Sequence, residues 1–191
     1  MAHKASKSVV AREKATRRKV RRNYRAVIAR AEPRHWVAAA EWYTEAQGVA
    51  RDIATANGLD VERVAAIIAA LSPRVHWSRN VVLASLFVAG KPVAGLTRSI
   101  ANAERALVAT DPLEALGGEK VRRFGRNIAG DLSVVTIDVW MLRAAGFTHD
   151  RPTPVQYRAA ERVVQQLGAE YGVEPAILQA LIWIVARGRS D

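Results

Sequence analysis

No cysteine occurs anywhere in the chain. That excludes disulfides, a thiolate nucleophile and any cysteine-held zinc or iron–sulfur centre. The four histidines, His3, His35, His76 and His149, are scattered and make no metal-ligating spacing, so neither a metal nor another cofactor is expected. No apolar run approaches the length of a membrane span, and the first residues lack an apolar core of signal-peptide length. The expectation is a soluble, cytoplasmic protein with no membrane contact. Strand-like alternation is missing outside Val134 to Ile137, and there are no internal repeats and no nucleotide-binding loop.

What is present in excess is positive charge, and it is unevenly placed. The net charge is +11. Residues 1–34 hold twelve Lys and Arg against two acids, Glu13 and Glu32, whereas the remainder is nearly balanced. Within this basic arm Arg17, Arg18, Lys19, Arg21 and Arg22 cluster in a segment that could become helical on a polyanion. Such arms bind nucleic acid through phosphates without reading sequence; the alternative is a solubilising tail. Removal of residues 1–31 is expected to leave a folded domain over 35–191, because the core pattern starts at Trp36.

That domain reads as a bundle of eight or nine helices. His35 to Asn57 repeats apolar residues at helical spacing and stops at Gly58, and Asp60 caps the next helix. Val61 to Leu71 is almost wholly apolar, the pattern of a helix at the centre of a bundle. Pro73 breaks it, and a helix beginning at Trp77 or Ser78 follows. Thr97 caps a helix through Val108. Thr153-Pro154 is a cap with proline at the first helical position, Gly172 closes that helix, and a last one runs from Glu174 to Arg187.

Candidate chemistry concentrates in Leu113 to Arg143. Gly117 and Gly118 open a helix near Glu119, with Lys120 in its first turn, where bare N–H groups can hold a phosphate. Asp138 follows an apolar run and is either the N-cap of the helix behind it or a functional carboxylate. A second stretch, Ser72 to Asn80, offers Arg74, His76, Trp77 and Arg79 as a stacking and phosphate-binding set; otherwise Trp77 is a core anchor and the arginines are surface.

In order and spacing, residues 61–146 resemble the helix-hairpin-helix DNA glycosylase superfamily of the endonuclease III type. The family pattern V-D-T-H-V-x-R reads here as Ile137-Asp138-Val139-Trp140-Met141-Leu142-Arg143. Lys120 precedes Asp138 by the separation that bifunctional members use. Leu71-Ser72-Pro73-Arg74 falls on the family's L-S-x-Q loop, with Arg74 at the glutamine. The hairpin L-P-G-V-G reads as Glu114-Ala115-Leu116-Gly117-Gly118, and Trp140 stands where histidine is common. The wording is also similar to that of uncharacterised bacteriophage proteins: Ala70-Leu71-Ser72-Pro73 with Trp77 and Asn80; Lys120 with Phe124, Asn127 and Ile128; Thr136 with Asp138 and Trp140. Some phage relatives of the fold are suspected to act in thymine hypermodification.

The resemblance implies an all-helical glycosylase-like fold, DNA as partner through its backbone and a flipped base, and catalysis by Asp138 and Lys120. Asp138 would stabilise a developing sugar cation, and Lys120, with its ammonium disfavoured at a helix N-terminus, would attack the sugar. Three functions compete: a base-directed DNA enzyme (glycosylase or modified-base transferase), a non-catalytic DNA-binding relative of the fold, and a virion-associated protein whose arm packs nucleic acid.

Overall fold

The computed structural model describes the backbone of residues 2–188 and the side chains of residues 11–188. All regular structure among them is helical: α1 Ala2–Ile28, α2 Pro33–Asn57, α3 Val61–Leu71, α4 Trp77–Val88, α5 Thr97–Val108, α6 Glu119–Ala129, α7 Val139–Ala144, α8 Pro154–Tyr171 and α9 Pro175–Arg187. No single helix among the described residues is long and apolar enough to cross a membrane. The chain divides into two compact units, one formed by residues up to Ala40 together with those from Ile137 on, the other by Glu41–Thr136.

The second unit is built around α3, as its apolar sequence requires. Val64 to Leu71 are all buried, and α4, α5 and α6 pack against the helix. Close approach depends on small residues. A β-carbon at Gly125 of α6 would lie 2.9 Å from Leu113 Cδ2 and 3.4 Å from Ala69 Cβ. Asp60 caps α3 by accepting from the Arg63 N–H at 2.7 Å. Arg63 stands where a capping box would have Glu, and its Nε donates to the same carboxylate at 2.9 Å. Its Nη1 donates to the carbonyls of Ala106, Leu107 and Ala109 at 2.7–3.0 Å, so one guanidinium satisfies the orphan carbonyls at the end of α5. Burial opposes ionisation of Asp60, but the hydrogen bonds and charge of Arg63 outweigh it and hold the carboxyl below its usual range. Thr97, expected as a cap, is the first residue of α5, and Leu96 occupies the cap position without a side-chain bond.

Two buried amides order the loops of this unit. Asn80 Nδ2 donates to the Ile68 carbonyl at 3.1 Å near the end of α3. Asn127 is fully buried and saturated. Its Nδ2 donates to Asp131 O at 2.8 Å and Val134 O at 3.0 Å, while its Oδ1 accepts from Thr136 Oγ1 at 2.8 Å and Tyr43 Oη at 3.3 Å. The segment after α6 is thus held without a strand.

In the first unit α1 packs on α7, α8 and α9. Here the basic segment, which by sequence could become helical on a polyanion, is a helix packed on its own unit. Val20, Tyr24, Val27 and Ile28 recur at helical spacing and are buried, which gives α1 an apolar stripe beneath its charge. Tyr24 Oη donates to Met141 O at 3.2 Å, and Asn23 Nδ2 to Ala145 O at 2.9 Å, so α1 also satisfies carbonyls of α7. Gly146 ends that helix at φ 83, and a β-carbon there would lie 2.4 Å from Asn23 Nδ2. Arg21 and Arg25 both pair with Glu170 of α8. Their hydrogen bonds, that of Arg25 foremost, hold its carboxyl below the usual range, so the clamp is present at neutral pH and is lost only as pH falls through the lowered value. Thr153 and Gln156 form a reciprocal capping box at α8, with Pro154 behind the cap.

Candidate functional site

Asp138 is the N-cap of α7. One carboxylate oxygen accepts from the backbone N–H of Trp140 and of Met141, both at 2.9 Å. The other accepts from Trp183 Nε1 at 3.0 Å. Three donors fix the carboxylate in place, as suits a preorganised negative charge. This geometry changes what Asp138→Asn tests. Asparagine caps as well as aspartate, but it cannot present oxygen to both the cap and the indole, so one donor loses its acceptor. The substitution, expected from sequence to be silent if Asp138 were only a cap, should cost about 1–2 kcal/mol in urea unfolding. Adding Trp183→Phe should remove most of the further penalty of the asparagine, because the orphaned N–H is then gone.

Around this cap lies an aromatic and cationic cluster that sequence reasoning did not assemble. Trp140 and Arg143 come from α7, and Trp183 and Arg187 from α9. The Arg143 guanidinium lies 5.0 Å from the Trp140 ring, and that of Arg187 lies 4.2 Å from Trp183 and 5.9 Å from Trp140. The signal available in sequence was the i, i+3 and i, i+4 spacing of Trp and Arg within each helix.

Lys120 belongs to the second unit. It is half-buried in the first turn of α6, two residues after Gly118, whose φ of 104 favours glycine. The expected phosphate cradle is partly used up. The Gly117 N–H donates to Asn102 Oδ1 at 3.1 Å, and Asn102 Nδ2 donates back to Gly117 O at 3.3 Å. Arg105 bonds Asn102 Oδ1 and Ala115 O, and Arg122 bonds Leu116 O, so the turn is held by side chains. Two surface depressions of this unit, of about 430 and 170 Å³, are lined chiefly by Glu114, Glu119, Asp131, Arg122, Arg123 and Arg126, and neither takes in Lys120 or the two glycines.

The loop 72–76 presents Arg74 and His76 to solvent, and Arg79 is exposed in the first turn of α4; Arg74 is at φ 65, an uncommon conformation for a residue other than glycine. Trp77 turns the other way. It packs on the core of the second unit with its ring 5.4 Å from that of Trp42, which leaves it a core anchor rather than an exposed stacking group.

The basic residues of α1 sort by what they touch. Arg21 bonds Gln166 and Glu170, and Lys19 Nζ sits 4.4 Å above the Phe147 ring. Arg17 is half-buried on the side of Val20 and Tyr24. Arg18 and Arg22 face solvent and, with Lys14, form a ridge at i, i+4 and i+8 on the side away from the buried stripe. None of these three pairs with an acid among the described residues. Successive ridge residues are about 6 Å apart along the axis.

Over residues 6–190 the sequence matches a family of unknown function, DUF7178. No curated protein and no solved structure matches it.

Proposed function

The chain belongs to the DUF7178 family of unknown function, and we propose from its geometry that it binds nucleic acid through the phosphate backbone, along the outer ridge of α1. The observation that carries this is the Lys14–Arg18–Arg22 ridge on a helix whose opposite face is docked. A docked helix presents its cations at fixed spacing, so less conformational freedom is lost on binding than in a loose tail. A polyanion with about one charge per 1.7 Å of duplex axis supplies the complementary partner. Replacing Lys14, Arg18 and Arg22 together by glutamine should weaken binding to a random-sequence duplex by on the order of tenfold or more at low salt. The melting temperature should be unchanged, since all three side chains face water. Fluorescence anisotropy checks the first outcome and thermal unfolding the second; wild-type affinity in the triple variant would refute the ridge.

A second reading is favoured by Asp138. A carboxylate held by three donors suits the stabilisation of a sugar cation, in line with the resemblance to helix-hairpin-helix glycosylases. In this reading Lys120 is the nucleophile that attacks C1′ of a flipped nucleotide. The neutral Lys120 amine adds to C1′, the base departs with the electrons of the C1′–N bond, and opening of the sugar ring gives an imine. Borohydride would reduce that imine to a stable crosslink. On a panel of damaged and modified duplexes, including hydroxymethyluracil, wild type should be trapped on at least one. Lys120→Met should abolish trapping and keep binding within a few-fold. No trapping on any substrate leaves the non-catalytic binder.

A further inference from the structure

We propose that the row Arg143, Trp140, Arg187, Trp183 is a stacking platform for an unpaired nucleobase, so that the protein holds single-stranded DNA more tightly than intact duplex. The inference rests on the nucleic-acid reading above and adds strand preference to it.

Four observations lead there. The row alternates flat cations and flat indoles drawn from two packed helices, with Arg187 near both indoles. It is rigid from beneath. Trp183 Nε1 is tied to Asp138, which in turn holds the backbone of Trp140 and Met141. Its members keep some access to solvent: Trp140, Trp183 and Arg187 are partly buried, and the Arg143 side chain is 51% exposed. Arg143 closes the open end of the row with a weak tie, its Asp150 partner lying 3.5 Å away on a side chain that is itself 75% exposed.

Each property matters for a base. Indoles and guanidiniums both offer planar faces to a nucleobase, and such stacking tolerates any sequence. A platform fixed in advance loses little freedom on binding. The guanidinium at the exposed end can also meet the phosphate beside the stacked base. Bases inside a duplex are already stacked on one another and reach such a platform only after unpairing, so an unpaired strand is favoured.

The test compares equilibrium binding of the full chain to oligothymidylate and to a duplex of equal length at one salt concentration. Wild type should prefer the single strand by on the order of tenfold. Trp140→Leu should bring the ratio of the two affinities close to one while leaving duplex affinity unchanged, and Trp140→Phe should keep most of the preference. Arg143→Gln, at the exposed end, should lower the ratio in the same direction and serves if circular dichroism shows the leucine variant unfolded. Equal wild-type affinity for the two forms, or a preference unaltered by these substitutions, would overturn the platform while duplex binding along α1 stands. Binding to neither form would overturn both.

Discussion

Tyr24→Ala should remove about 3–5 kcal/mol of stability, a large part of what a domain of this size has. Tyr24 is fully buried, and the ring fills the space between α1 and the helices it packs on. Its hydroxyl is held protonated, above all by burial, then by the negative charge of Asp138 and by Tyr157, so it remains a donor to Met141 O throughout the working pH range. Tyr24→Phe should cost only about 0.5–1.5 kcal/mol, because Met141 O keeps an intrahelical partner in the Ala145 N–H. Urea unfolding of the two variants separates packing from hydrogen bonding. By the same logic, deletion of residues 1–31 should yield an unfolded or aggregating first unit, since it removes Val20, Tyr24, Val27 and Ile28 together.

Asn127→Asp should be comparably damaging, at about 3–5 kcal/mol. The amide nitrogen donates to two carbonyl oxygens, so aspartate would set a buried carboxylate oxygen against both of them. Burial would raise the pKa of the new carboxyl. The variant should therefore regain stability as pH falls and the group protonates, because the acid form again has a proton to donate. Thr136→Val, which removes one donor from a shared acceptor, should cost about 1 kcal/mol. Thermal unfolding across pH checks both; a pH-independent loss in Asn127→Asp would show that the amide's hydrogen bonds are not the cause.

The helical architecture was legible because its signals are local. Apolar spacing over Val61 to Leu71, the glycine stops at Gly58 and Gly172, and the Thr153-Pro154 cap each depend on a few neighbouring residues, and each falls where the structure has it. The fate of the basic segment was harder to read. Its apolar stripe is four residues long in a run of cations, and charge dominates any composition-based reading of such a window, although Val20, Tyr24, Val27 and Ile28 are at helical spacing. Asn127 and Thr136 illustrate a different limit. Both stand in strings that suggested a functional motif, and both are tied into one buried polar latch whose partners are Tyr43, Asp131 and Val134. Asp138 was correctly reduced to cap or functional group, and the cap is present. Its bond to Trp183 could not be inferred, since the two residues meet only through the packing of α7 on α9. Arg63 gave no signal either, because its role depends on where α5 ends.

The central claim, that the docked α1 ridge meets phosphates, is tested most directly by the salt dependence of DNA binding. For a duplex, each phosphate contact contributes about 0.9 to the slope of log affinity against log salt. Replacing Lys14, Arg18 and Arg22 by glutamine should therefore flatten the slope by about 2.7 if all three contact phosphates, with the fold intact by circular dichroism. A slope identical to that of wild type, in a folded triple variant, would contradict the account.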